Sequence, residues 1–153
     1  MNKKLLLILF ALLSVSNLTA FDTSDGESFL GLTIENLFQA QAVPLDIRPQ
    51  RGVEEDEDNV VFFYGSGFSL FLFKNRVWQV RYDRRATLLP YDLTIGESRR
   101  SILSRFLERE LVPLVSGDDH VTFQLRDSPW PIRMSLYFDS DSLDDLYIYR
   151  SDF

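Results

Sequence analysis

Cysteine is absent from all 153 residues, and histidine occurs once, as His120. The first absence excludes disulfides, thiol nucleophiles, cysteine metal sites and any lipid anchor carried on cysteine. With one imidazole in the chain, a zinc site built from His and Cys has too few ligands. Lysine is scarce too: Lys3, Lys4 and Lys74 stand beside thirteen arginines, and 23 acids against 16 bases leave a formal net charge of −7. No basic stripe offsets that charge, so nucleic-acid binding, which depends on phosphate neutralisation, is not expected. The Gly-x-Ser-x-Gly elbow of serine hydrolases is missing. Gly65-Ser66-Gly67 lacks the lysine and helix of a phosphate loop, and reads as a turn.

The first twenty residues hold an export signal. Met1-Asn2-Lys3-Lys4 is a basic start, Leu5 to Leu13 is almost unbroken apolar sequence, and Ser14 to Ala20 is small and polar. That succession is the pattern of a secretory signal peptide. The apolar run falls short of the roughly 20 residues a spanning helix needs, and no second run of that length follows. Removal of residues 1–20 leaves 133 residues with 14 bases and 23 acids, a net of −9. A chain of that size buries enough surface to fold without covalent staples.

Beyond the signal, a pattern of about 65 residues occurs twice. Gly31-Leu32-Thr33 and Gly96-Glu97-Ser98 each precede a helical pattern. The second is the clearer, with Ile102, Leu103, Phe106 and Leu107 on one side and Arg99, Arg100, Arg105, Glu108 and Arg109 on the other. Thr33 and Ser98 suit the N-cap. Val43-Pro44 and Val112-Pro113 end the two helices. Three strand-like runs then follow in each: Val60 to Tyr64, Phe68 to Phe73 and Val77 to Tyr82, and later Val121 to Leu125, Arg133 to Phe138 and Asp145 to Arg150. The expected fold is α+β, with two tandem α-β-β-β units forming an antiparallel sheet backed by helices on one face. The divisions are residues 1–20 for the signal, 21–85 for the first unit and 86–153 for the second. The charge run Glu54-Glu55-Asp56-Glu57-Asp58-Asn59 reads as a solvated loop, because adjacent carboxylates repel.

Strand alternation separates the faces. In the second unit Val121, Phe123, Leu125, Met134, Leu136, Phe138, Leu146 and Ile148 form an apolar set. His120, Thr122, Gln124, Arg133, Ser135, Tyr137, Tyr147 and Tyr149 fall opposite. Transferring that register to the first unit puts Val60, Phe62, Tyr64, Phe71, Phe73, Trp78, Val80 and Tyr82 inside. It leaves Val61, Phe63, Phe68, Leu70, Leu72 and Val77 on an open face beside Gln79 and Arg81. So large an apolar patch requires a cover, either another part of the chain, a second copy or a partner.

Chemistry has few candidates. His120 lies next to Asp118 and Asp119 at a strand start and reads as a solvated edge residue. Asp139-Ser140-Asp141-Ser142 begins like a calcium loop, but the glycine at the sixth position and the glutamate at the twelfth are missing, so it reads as a hairpin turn. Arg99-Arg100 places two cations in a helix first turn, against the macrodipole.

The run Gly31-Leu32-Thr33-Ile34-Glu35-Asn36-Leu37-Phe38, closing at Val43-Pro44, resembles the opening of the BamE/SmpA outer-membrane assembly lipoproteins. The stretch Tyr64, Phe68 to Phe73 and Lys74-Asn75-Arg76-Val77 is similar to that family's strand and turn. Two such units in tandem also resemble the β-lactamase inhibitor protein fold, whose concave sheet binds its partner. The resemblance implies a helix-backed sheet and binding rather than catalysis; the lipobox cysteine of the first family and the cysteines of the second are missing here. The expectation is therefore an exported, periplasmic or secreted, non-enzymatic module that grips an envelope or extracellular protein. Phe63, Phe68, Leu70, Leu72, Gln79, Arg81, Tyr137, Tyr147 and Tyr149 are its expected contact residues, with no catalytic residue, metal or cofactor. A carrier or sensor of a lipid or peptide is the alternative, and a homodimer closed through the same patch is a further one.

Overall fold

The computed structural model describes residues 22–40, 42–52 and 58–153, so the expected export signal and Glu54 to Glu57 of the acidic run lie outside the described residues. Eight strands follow in chain order: β1 (Asp46–Gln50), β2 (Asn59–Tyr64), β3 (Phe68–Phe73), β4 (Arg76–Tyr82), β5 (Pro113–Ser116), β6 (His120–Arg126), β7 (Ile132–Asp139) and β8 (Ser142–Arg150). They make one antiparallel sheet in the order β1-β2-β3-β4-β8-β7-β6-β5. Neighbours in sequence pair as hairpins, and the two hairpin series meet where β4 pairs β8, from Gln79↔Tyr149 to Tyr82↔Leu146.

Two short helices precede the series, α1 (Ile34–Gln39) and α2 (Arg99–Glu108). Each has the expected hydroxyl cap: Thr33 Oγ1 accepts from the Asn36 amide and Ser98 Oγ from the Ser101 amide, both at 3.3 Å. The helix starts are tied to the sheet by backbone bonds. Gly31 donates to the Val77 carbonyl at 2.7 Å, and Gly96 to the Leu143 carbonyl at 2.8 Å.

The expected fold class is corrected by this architecture. Among the described residues the molecule is mostly one continuous eight-stranded sheet, with helices of only 6 and 10 residues, and not an α+β arrangement of two helix-backed α-β-β-β units. Four strands rather than three come from each series. The added strands, β1 and β5, are the two edges, and both are almost wholly exposed. An edge strand with one neighbour needs no alternating apolar side, and it tolerates proline, as at Pro49 and Pro113. Neither therefore carries the periodic signal by which a strand is recognised.

One face of the sheet is buried. Phe62, Phe68, Leu70, Leu72, Val77, Val80 and Tyr82 from β2–β4 join Val121, Phe123, Met134, Leu136, Leu146 and Ile148 from β6–β8. Leu37 of α1, and Ile102 and Phe106 of α2, complete the same core, the Phe106 ring lying edge-on to Phe123 at 5.0 Å. The N-terminal 3-10 turn Gly26–Phe29 adds Phe29, 5.3 Å from Phe68. Tyr82 holds this segment down through its hydroxyl, which donates to the Thr23 carbonyl at 2.5 Å, and Tyr91 does so through Glu27. Gly26 is required by that closeness: a Cβ there would lie 2.7 Å from the Tyr82 oxygen.

The face assignment made for the second series is observed; that for the first holds for Phe62, Val80 and Tyr82, which are core, and is otherwise corrected. Phe68, Leu70, Leu72 and Val77 are core residues with 0–2 % of their surface exposed, while Phe71, Phe73 and Trp78 are only partly buried. Two physical causes combine. In β3 every residue but Ser69 is apolar, so alternation has no phase. In β4 a bulge breaks the register between Phe71↔Gln79 and Leu72↔Val77, turning Trp78 and Gln79 away from the core. The matching hairpins set Phe73↔Arg76 against Asp139↔Ser142, so Phe73 stands where Asp139 stands, not where Phe138 does. A slip of one residue sends every side chain to the opposite face.

Both hairpins turn through two residues of positive φ, Lys74-Asn75 (46° and 66°) and Ser140-Asp141 (49° and 69°). That is the type I′ geometry matched to strand twist, with Asn and Asp at positions they tolerate. Among the described residues no group of three or more His, Cys, Asp or Glu is placed to hold a metal, the Asp139-to-Ser142 turn included.

Candidate functional site

The second face of the sheet carries the side chains that the core does not. Along its middle the residues are small: Ser69, Thr122 and Ser135 are 5, 7 and 4 % exposed. Large rings surround them. The result is a hollow of about 410 Å³ lined by Gln79, Ser135, Tyr137, Asp145, Tyr147 and Tyr149, astride the β4–β8 join.

The walls of the hollow are fixed by mutual contact. Arg81 Nε and Nη2 donate to the two carboxylate oxygens of Asp145, each at 2.9 Å, across that join. This bidentate bond raises the Arg81 pKa further above its already high ordinary value. The guanidinium lies 5.6 Å from the Tyr147 ring, which meets Tyr137 edge-on at 5.4 Å; Tyr137 in turn stacks on His120 at 5.5 Å. Edge-on and stacked ring pairs are each worth about 0.5–1.5 kcal/mol beyond burial. Beneath them Thr122 and Ser135 share a hydroxyl bond of 2.8 Å, and Ser135 also reaches the Tyr149 hydroxyl at 3.3 Å. Burial pushes the Tyr147 phenol pKa up, so it stays a neutral donor through the physiological range. Such a surface offers rigid rings with polar ends and little rotamer freedom left to lose on binding.

Beside the hollow is a second, drier depression of about 220 Å³, lined by Asn59, Phe73, Trp78 and Phe153. Trp78 Nε1 donates to Asn59 Oδ1 at 2.8 Å, and the Phe73 and Phe153 rings meet edge-on at 6.1 Å. The β4 bulge is what brings Trp78 here.

Of the nine expected contact residues, Gln79, Tyr137, Tyr147 and Tyr149 line the hollow, with Arg81 bonded to its Asp145 wall. Phe63 lies further out towards β1, half-buried beneath the Arg48 guanidinium at 5.1 Å. Phe68, Leu70 and Leu72 are removed from the site, being core. All three belong to the common core, where Phe29 packs against Phe68. Ser135 and Asp145 of the hollow, and Asn59, Phe73, Trp78 and Phe153 of the depression, were missed. Trp78 beside Gln79 carries no readable phase once a bulge intervenes, and Asp145 gains its place only by pairing with Arg81, 64 residues earlier.

The other candidate groups have structural partners. His120 Nδ1 lies 2.9 Å from Asp119, and no hydroxyl bonds the ring among the described residues. Arg99 donates to the Asp118 and Gly117 carbonyls and the Ser116 hydroxyl at 2.7–3.0 Å. No helix among the described residues is long and apolar enough to cross a membrane.

No family profile matches the chain, and no curated protein matches it. A solved extracellular protein containing a SCP domain, from Bacillus anthracis str. Ames, is similar in fold, with a TM-score of 0.52 at 15% identity. The likeness covers 90% of this chain and 49% of the other, so this chain spans about half the length of that protein. At that identity it speaks for the fold alone.

Proposed function

We propose that this chain is an exported binding protein that engages a partner protein through the open face of its sheet. The observation that carries the reading is the pre-packed hollow of Gln79, Ser135, Tyr137, Asp145, Tyr147 and Tyr149 on a face opposite the core. Tyrosine mixed with Arg, Gln and hydroxyl groups is the composition of protein-contact surfaces. The N-terminal signal pattern supports export. The resemblance to BamE/SmpA-like and β-lactamase-inhibitor-like proteins supports binding over catalysis. So does the lone His120, which is held by Asp119 and Tyr137 rather than by a nucleophile.

The test is site-directed photocrosslinking in cells that make the protein natively. A benzophenone amino acid is placed at position 137 or 149 on the open face, or at Leu107, an exposed residue of α2. One discrete adduct from both face positions and none from position 107 is the expected result. Adducts equal at all three positions, or none from the face, would sink the reading.

A further inference from the structure

We infer that the pocket between Phe73, Trp78 and Phe153 seats one aliphatic or aromatic side chain of a protein partner, from a segment that also carries a carboxylate. The inference rests on the open-face reading above and names the chemistry the partner must present. Position is the first argument. Trp78 and Gln79 are consecutive on β4, one lining this pocket and the other the tyrosine hollow. A chain lying over the hollow therefore meets the pocket within a residue or two.

The lining is the second argument. Three of its four side chains are aromatic, and the indole N–H already donates to Asn59 at 2.8 Å. What it offers an occupant is apolar burial rather than that donor. At about 220 Å³ it falls below the roughly 300–1,000 Å³ of small-molecule sites, and matches a single anchoring side chain. Its outer wall is held in place: Arg150 lies 4.6 Å from both the Phe153 and Trp130 rings, and its guanidinium is fixed by Asp152 at 2.7 and 3.0 Å.

Charge is the third argument. Lys74 Nζ sits 4.8 Å from the ring of Phe73, one of the residues lining the pocket. Among the described residues no carboxylate pairs with it. A cation so placed favours a carboxylate next to the entering side chain, and disfavours a basic segment.

The probe is a library of random dodecapeptides displayed on phage, selected on the wild-type chain. The selected sequences should share Leu, Ile, Phe or Trp within about two positions of Asp or Glu. A synthetic peptide of that sequence should then bind Phe73→Ser and Phe153→Ala on the order of tenfold or more weakly, the loss expected for one unburied apolar side chain. Lys74→Glu should weaken it severalfold. Phe153 is half exposed, so Phe153→Ala should preserve the fold and keep the test meaningful if Phe73→Ser does not.

Selected peptides that lose affinity for Tyr147→Ala yet bind both pocket variants normally would overturn the pocket inference and leave the open-face reading standing. Peptides indifferent to Tyr147→Ala and to both pocket variants would overturn both. A library yielding no binder overturns the pocket inference. So does a wild-type chain that is dimeric by light scattering while Phe153→Ala is monomeric, since the occupant would then be a second copy.

Discussion

At the level of single residues, parity along the strand decides whether an apolar side chain is structural or available. Leu70 and Phe73 lie three residues apart on β3, yet Leu70 is fully buried and Phe73 lines an open depression. Leu70→Ala is expected to cost about 2–5 kcal/mol of stability through lost transfer energy and a residual cavity. Phe73→Ala should cost about 1 kcal/mol or less, because little of its environment closes around it. Urea midpoints of the two variants check this directly; equal losses would mean that the face assignment is wrong. Replacing Leu70 or Leu72 to probe binding would therefore report on folding instead.

At the level of elements, the two helices are too short to persist alone, since isolated helices under about 12–15 residues are marginal in water. They depend on their caps and on apolar anchors such as Leu37, Ile102 and Phe106. Ser98→Ala removes the acceptor for the Ser101 amide and is expected to destabilise the protein by about 1 kcal/mol, seen as a lower melting temperature. Ser98→Asp should restore it, and failure of that rescue would show that the hydroxyl is not acting as a cap. These caps could be read from sequence, because a hydroxyl followed by an amphipathic run is a local signal. The β1 and β5 edges could not, since neither composition nor period marks a strand with one solvated edge.

For the whole molecule, several carboxylates are held below their ordinary range by arginine, which links stability to pH. Burial opposes ionisation of Glu97, but bonds from Arg105 and the Ser101 hydroxyl outweigh it and lower the pKa. Asp83 is lowered mainly by its bond to Arg85. A carboxylate depressed in the folded state contributes stability that is present above its unfolded pKa and lost as pH falls through the folded value. Urea resistance should thus hold near neutrality and decline once pH drops below about 4.5, the ordinary carboxylate range. Glu97→Gln should shallow that decline, and an unchanged acid limb in this variant would remove Glu97 from the account.

By itself the sequence determined whatever depends on neighbours a few residues away. The exclusion of cysteine chemistry, the two capped helices, six of the eight strands, and the alternation in β6–β8 that separates Met134 and Leu136 from Ser135 and Tyr137 all follow from local spacing. Part of the open face was legible for the same reason, because tyrosines interleaved with apolar residues carry their own phase. Only the tertiary structure decided the rest. It joined β4 to β8 and so brought Arg81 to Asp145, and it closed the two strand series into one sheet. It also assigned Phe68, Leu70 and Leu72 to the core and Phe73 and Trp78 to a pocket. In a strand apolar at nearly every position the facing side is settled by register with its partners, and register across a bulge is a property of the folded sheet.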